Sequence, residues 1–325
     1  MKETLLAILK EHSGAYVSGE ELSNRMQVSR TAVWKHIGGL REEGYEIESA
    51  PRLGYRLVAV PDLLLPLEIQ DGLKTAVMGK KVYHYREVDS TNRAARELAR
   101  AGEAEGTVVL AEAQSAGRGR LGRAWNSPCG GIWLSLILRP KLPPYKAQLL
   151  TLMAAVAATE ATAAVSAVTP GIKWPNDLMI NGKKLAGILT EVSAEMEQLN
   201  YIVLGLGINA NIPADWFAGE LEQIATSIMA QSGEAVSRVA WVQAFLRNME
   251  QEYMQAEQIG FEDVLKRWRR YSVTLGKGVD VQLADHRESG TAVDIDEQGA
   301  LLVRTESGVK TFWAGDVSLR PDDGK

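Results

Sequence analysis

Three arginines stand in the seven residues GRGRLGR at 117–123: Arg118, Arg120 and Arg123, with Gly117, Gly119 and Gly122 between them. Guanidinium groups are permanently charged forks matched to phosphate or carboxylate, and glycine lets backbone N–H groups come close to a ligand. The chain as a whole is acidic, with a formal net charge of −5. Such a segment either meets an anionic partner or is a solvated loop, as most charge runs are. It is not a P-loop, because G-x-x-x-x-G-K-[ST] is absent, and no G-x-G-x-x-G precedes a helix. It lacks the repetition of RNA-binding arginine–glycine tracts, and it lies between two strand-like runs. That position favours a small anionic ligand.

A second constellation is KWPNDLMINGKKLAGILTE at 173–191. Asn181-Gly182 between two apolar runs is a strong two-residue hairpin signal. A tight turn would pair Ile180 with Lys183, Met179 with Lys184, Leu178 with Leu185 and Asp177 with Ala186. Asp177, Met179, Lys184 and Ala186 then share one face, and Leu178, Ile180 and Leu185 the other. Asp177 and Lys184 become diagonal neighbours roughly 7–8 Å apart at Cα, a gap that can hold a reacting group between a carboxylate and an ammonium. The alternative is a surface salt bridge on a half-exposed hairpin.

The elements that must position these groups fall into three parts: 1–62, 63–271 and 272–325. In the first, Ser18 and Glu21 form an S-x-x-E helix start, and Ser29 is an N-cap for the next helix. Val33, Ile37 and Leu40 share one face of that helix, so Thr31, Trp34 and Lys35 point away, with Arg30 at the edge. The run EIESAPRLGYRLVAV reads as two short strands around a turn. Helix, helix, helix, hairpin is the order of a winged helix-turn-helix, which reads DNA through Arg30, Thr31, Trp34 and Lys35, with Arg52 and Arg56 on the wing. Basic and acidic side chains balance over residues 1–61, which weakens the electrostatic case, but Arg25–Lys35 holds three cations and no acid. The alternative is a module that packs on protein. PDLLLPL at 61–67 reads as a linker. The central part alternates strand-like runs with helical ones, a mixed α+β sheet, and closes on a basic helix, FEDVLKRWRRYS. The last part has recurrent glycines and no helical period, as in a small β-barrel.

Composition sets outer bounds. One cysteine, Cys129, allows no intrachain disulfide, and MKETLLAILKEH lacks a signal-peptide pattern, so a cytoplasmic location is expected. The stretch from Leu149 approaches membrane-span length but contains Glu160, and a charge at mid-bilayer costs at least roughly 2.5–3.5 kcal/mol. A buried core helix and no membrane partner are expected.

Taken together, GRGRLGRAWNSPCGGIWLSL, KWPNDLMINGKKLAGILTE, DSTN at 89–92 and GLGINAN at 205–211 resemble the biotin–protein ligases, and the flanking parts make the chain similar to the bifunctional biotin operon repressors of bacteria. The resemblance covers essentially the whole chain. It implies a class II synthetase-like catalytic domain and an SH3-like C-terminal domain. It also implies two reactions: biotin and Mg2+-ATP give biotinyl-5′-AMP, and the biotinyl group then passes to a lysine of a biotin carboxyl carrier protein. By the same resemblance Ser90, Thr91, Asn92, Gln114, Arg118, Gly119, Arg120, Lys184, Gly187 and Gly205 contact biotin. Arg120, Arg123, Trp125, Asn176, Lys184, Asn209 and Trp216 contact ATP or the adenylate. Arg118, Arg120, Lys184 and Asp177 are the catalytic set, with Asp177 taking the acceptor lysine's proton. No metal ligand in the chain is assigned. Leu121 replaces an arginine of some members, and Trp216 lies in a segment that varies.

The resemblance further implies operator DNA as a partner and a homodimer when the adenylate is bound. On the residues alone, Ser90 is equally a helix N-cap. A lipoate–protein ligase remains open, as does a biotin sensor without catalysis, against which the intact Arg118, Arg120, Asp177 and Lys184 argue. A loop that stays open and mobile until it folds over an anionic adenylate would account for the three arginines.

Overall fold

Leu5, Leu6, Ile8 and Leu9 recur at helical spacing, and in the computed structural model they are the buried face of α1 (Lys2–Glu11). The structure describes residues 1–320 apart from 13, 196–197 and 284–285. The chain divides into two compact units, Met1–Leu63 and Leu64–Lys325. In the first unit, Glu21 N–H donates to Ser18 Oγ (3.0 Å) at the start of α2 (Gly19–Met26). A complete capping box would turn Glu21 back to the Ser18 N–H, but its carboxylate lies 3.6 Å from His12 Nε2. Ala32 N–H donates to Ser29 Oγ (3.2 Å) at the start of α3 (Arg30–Glu43), which buries Val33, Ile37 and Leu40. β1 (Glu46–Ala50) and β2 (Gly54–Ala59) pair antiparallel as the wing.

On the outward face of α3, Thr31 and Lys35 are exposed and Trp34 is 66% exposed. The acid-free run Arg25–Lys35 is not free of acid in space. Arg25 meets Glu11 at 2.7 Å and Arg30 meets Glu20 at 2.6 Å, each from a neighbouring helix. Arg56 pairs with Glu48 and lies over the Tyr16 ring, and Arg52 takes a left-handed backbone (φ 67°) in the wing turn.

The expected linker PDLLLPL is in part core. Leu64 and Leu65 are buried, and α4 (Pro66–Gln70) begins at its second proline. The reason is the run of leucines, each of which gains roughly 1.5–3 kcal/mol on leaving water. The Leu64 N–H donates to the buried Glu112 carboxylate (2.8 Å).

The second unit is built on a seven-stranded mixed sheet. Its strands are β3 (Val82–Val88), β4 (Val108–Gln114), β5 (Ile132–Leu138), β6 (Gly171–Lys173), β7 (Asp177–Ile180), β8 (Lys183–Glu195) and β9 (Gln198–Ile208), in the order β3-β4-β5-β9-β8-β7-β6. β3 and β4 are parallel, and the other pairs are antiparallel. Successive side chains of β4 and β5 alternate between two apolar layers. Val108, Leu110, Leu134 and Leu136 meet the long helices α6 (Ala147–Val165) and α8 (Arg238–Ile259), while Val109 and Ile137 meet α5 (Thr91–Arg100). Helix α6 is the stretch of membrane-span length. It is buried against the sheet and α8, and its Glu160 pairs with Arg267 (3.1 Å) on α9 (Glu262–Tyr271). Five antiparallel strands follow: β10 (Gly278–Gln282), β11 (Arg287–Ile295), β12 (Leu301–Thr305), β13 (Gly308–Phe312) and β14 (Asp316–Leu319), in the order β13-β12-β11-β10-β14. They belong to the same compact unit as the large sheet. Trp174 N–H donates to Thr274 Oγ1 (2.9 Å), and the Trp174 indole N–H donates to the Gly299 carbonyl (3.0 Å). The fold is α+β, as its sequence patterns indicate.

Candidate functional site

One cavity of about 350 Å3 opens at the ends of β4, β8 and β9. Ser90, Thr91, Asn92, Gln114, Arg118, Gly119, Arg120, Arg123, Trp125, Asn176, Asp177, Lys184, Gly187, Gly205, Asn209 and Trp216 all line it. Residues from Ser90 to Asp316 thus converge. Two glycines of β9 make the room: a Cβ at Gly205 would collide with Asn92, and one at Gly207 would stand 2.6 Å from Trp125 Nε1. Trp216, Phe217, Leu221 and Ile224 supply an apolar flank.

The cationic part comes from the arginine loop and the hairpin. Four cations, Arg118, Arg120, Arg123 and Lys184, face two carboxylates, Asp177 and Asp316. Asn181 (φ 49°) and Gly182 (φ 78°) form the tight turn that their types call for, and Ile180 pairs with Lys183 and Met179 with Lys184. Beyond that the register differs from expectation. A bulge shifts the pairing, so that Leu178 faces Ala186 and Asp177 faces Gly187. Leu185 is the extra residue, and it is fully buried. Its burial demand overrides regular alternation. Asp177 and Lys184 consequently stand in contact, Nζ to Oδ1 at 2.7 Å, instead of flanking a gap. This Asp177 oxygen is buried and has no hydrogen bond of good geometry, so the lysine holds it by charge. Lys184 Nζ also lies 5.2 Å from the centre of the Trp125 ring.

The arginine loop is held, not open. Gly119 N–H donates to the Arg123 carbonyl (2.8 Å), and Arg118 bridges Ala124, which closes a small hairpin. Arg120 donates to Asn176 Oδ1 and to the Gly315 carbonyl, both at 3.1 Å, and Arg123 pairs with Asp316. Two of the three arginines are therefore anchored at the start of β14, by Gly315 just before it and Asp316 as its first residue. Nothing near the loop in sequence announces those partners, so an open loop was the natural expectation.

The neutral part is a hydrogen-bonded set beside α5. Thr91 N–H and its hydroxyl donate to Gln114 Oε1 (2.8 and 3.1 Å), and Gln114 Nε2 donates to Ser127 Oγ (2.8 Å). Asn92 Nδ2 donates to Glu191 Oε2 (2.8 Å) and to the Leu189 carbonyl (3.3 Å). Ser90 stands at the N-cap of α5, yet its side chain caps nothing, so the helix-start reading does not account for its hydroxyl.

Four residues escaped sequence reasoning. Lys173 faces Asp177 across the β6–β7 pair. Burial is the largest influence on it and pushes it below the usual lysine range; the Asp177 and Asp316 carboxylates oppose the fall, and Lys184 and Arg123 add to it. The missed signal was the short strand β6 ahead of WPN, where a third strand would have placed Lys173 on the Asp177 face. Asp316, far along the chain, had no local signal. Ser135 and Glu191 are the others, each inside a run read as plain strand. Among the described residues no group of three or more His, Cys, Asp or Glu is placed to hold a metal ion.

Three family models match the chain: the Biotin/lipoate A/B protein ligase family over residues 84–209, an HTH domain over 2–56, and the Biotin protein ligase C terminal domain over 274–320. The chain is similar to the bifunctional ligase/repressor BirA of Bacillus spizizenii, 41% identical over 320 residues that cover 98% of each protein. It is also similar to that of Escherichia coli, 32% identical over 328 residues that cover 97% of this chain and 96% of the relative. Among solved structures it resembles the biotin protein ligase from Aquifex aeolicus in complex with biotin and ATP, with a TM-score of 0.63 and 29% identity, covering 74% of this chain and 99% of that one.

Proposed function

The chain belongs to the biotin protein ligase family, as one of its bifunctional ligase/repressors, and from that premise we propose how its residues divide the work. It is a biotin–protein ligase that carries a DNA-binding helix-turn-helix. The observation that supports the assignment of roles is the union, in one cavity, of a neutral hydrogen-bonding group with a cationic group. Biotin has a neutral ureido head and an anionic tail, and ATP adds further anions.

Ser90, Thr91, Asn92 and Gln114 take the ureido head. Arg118, Gly119 and the backbone openings at Gly187 and Gly205 admit the tail. Arg120, Arg123, Trp125, Asn176, Asn209 and Trp216 take the nucleotide. Attack by the biotin carboxylate on the α-phosphorus forms the acyl phosphate bond and releases pyrophosphate. Lys184 and Arg120 neutralise the oxygens on which charge gathers, an effect that strengthens once water is excluded. In the second reaction a neutral lysine amine of the carrier protein attacks the acyl carbon, AMP leaves, and Asp177 receives the amine proton. The cavity's two carboxylates, Asp177 and Asp316, are both paired with cations. Among the described residues the cavity thus offers no free carboxylate for Mg2+, and the ion would arrive on the nucleotide's phosphates, as is usual for it. Lipoate would leave the amides of Asn92 and Gln114 facing a dithiolane with no N–H or C=O group.

The winged helix presents Thr31, Trp34 and Lys35 to the major groove of operator DNA, with Arg30, Arg52 and Arg56 toward phosphates. One recognition helix reads a short half-site, so the operator is two-fold symmetric and the adenylate-bound protein binds it as a homodimer. Adenylate binding and dimerisation are then coupled reciprocally. The location is cytoplasmic, with no membrane partner. The test is to incubate the protein with Mg2+-ATP and either biotin or lipoate and follow pyrophosphate release. Release with biotin alone is expected; release with lipoate instead, or with neither, would refute the assignment.

A further inference from the structure

Asn92 and Gln114 are amides, and an amide can present either its donor or its acceptor to a ligand. Their surroundings decide which. Gln114 Oε1 already accepts from Thr91 twice, and one Nε2 hydrogen goes to Ser127, so the remaining Nε2 hydrogen is its free group. For Asn92 both amide hydrogens are spoken for, by the Glu191 carboxylate and the Leu189 carbonyl. Its Oδ1 accepts from the Ser135 hydroxyl (2.6 Å) and keeps one lone pair. The Ser135 hydroxyl also lies 2.9 Å from Thr91 Oγ1. Its single proton goes to Asn92, the shorter of the two contacts. Flipping Asn92 would set its oxygen against a carboxylate and a carbonyl, and its N–H groups would meet no acceptor but the serine. Arg96, one helical turn beyond Asn92 on α5, holds the other Glu191 oxygen (Nη1 to Oε1, 3.2 Å). Ser135 is fully buried, and neither it nor Glu191 lines the cavity.

We propose that Ser135 and Glu191 are positioning residues for biotin. They lock Asn92 so that the cavity offers a fixed acceptor at Asn92 beside the fixed donor at Gln114, the complement of a cyclic urea with its N–H next to C=O. The proposal rests on the reading that this cavity binds biotin. Neither residue contacts the ligand, and both act through Asn92.

The test uses full-length Glu191→Gln and Ser135→Ala. Glu191→Gln keeps size and lets residue 191 donate to Asn92, which removes the preference for one orientation. Titration calorimetry with biotin and with desthiobiotin, which keeps the ureido head, is combined with steady-state kinetics and thermal melting. The Kd of both ligands is expected to rise by roughly tenfold, the loss of one well-placed hydrogen bond. The KM for biotin should follow, while kcat, the KM for ATP and Tm stay at wild-type values. Unchanged biotin affinity in both variants would overturn the proposal. So would a rise in the KM for ATP that accompanies a lowered Tm, since that marks a merely structural role. If Ser135→Ala does not fold, Glu191→Gln, at a half-exposed position, decides alone. If wild-type protein fails to bind biotin in the same titration, the cavity assignment falls, and this proposal with it.

Discussion

Replacing Lys184 by methionine removes one charge and keeps most of the side chain's stem. Two effects follow, and their sizes separate them. The Asp177–Lys184 pair at 2.7 Å leaves the lysine side chain 33% exposed and the aspartate 18% exposed. Pairs that open to solvent contribute roughly 0–1 kcal/mol to stability. In a protein of this size such a loss lowers Tm by only about 2–4 °C. On the proposed mechanism the catalytic effect is larger, because the ammonium would stand where charge develops. Losing one such preorganised group costs about 2.7–4 kcal/mol, or roughly 100- to 1000-fold in rate. Single-turnover formation of biotinyl-AMP, followed by rapid quench with labelled ATP, measures the rate, and calorimetric melting measures the stability. A rate within about threefold of wild type, under 1 kcal/mol, would refute the catalytic assignment. A fall in Tm far beyond the few degrees expected would assign the pair to the fold instead.

The loop anchor makes a second prediction: Asp316→Asn should change stability by less than about 1 kcal/mol yet speed tryptic cleavage after Arg120 and Arg123, and unchanged cleavage would show that Asp316 does not hold the loop. A third concerns acid. Burial pushes the Glu112 carboxyl up, but His84, Arg238 and the Leu64 N–H outweigh it and hold it below the ordinary glutamate value of 4.5. A depressed carboxyl contributes stability that is complete above its unfolded value and lost as pH falls through its folded one. Glu112→Gln should therefore be less stable at pH 7 and show a shallower loss below about pH 4.5 in urea denaturation; equal acid sensitivity in both proteins would contradict this. Finally, removal of residues 1–62 should abolish binding to a fluorescent operator fragment while part of the ligase activity survives, and Trp34→Ala should weaken DNA binding without changing ligase rates. Loss of both activities together in Trp34→Ala would break the proposed division of labour.

Much of this was legible because it is local. The Ser18 and Ser29 caps, the buried stripe of Val33, Ile37 and Leu40, and the Asn181-Gly182 turn are each set by neighbours within a few positions. The arginine loop stood out through residue type alone, and its three arginines line the cavity. What was not legible is non-local. The bulge at Leu185 depends on which side chain the core can take, and it turned a reaction gap into a 2.7 Å contact. The anchoring of Arg120 and Arg123 depends on Gly315 and Asp316, nearly 200 positions away. Leu64 and Leu65 looked like linker because prolines flank them, although their apolar side chains belong to the core. The orientation of Asn92 depends on Ser135 and Glu191, whose places in apolar strands hid their polar role.

The central claim is that this cavity activates biotin with ATP and delivers it to a protein lysine. The most direct measurement is mass spectrometry of a biotin carboxyl carrier domain incubated with the full-length protein, biotin and Mg2+-ATP. A gain of one biotinyl group on the acceptor lysine is expected, abolished when biotin or ATP is omitted or that lysine is replaced by arginine. An unmodified acceptor in the presence of protein shown to bind both biotin and ATP would contradict the account.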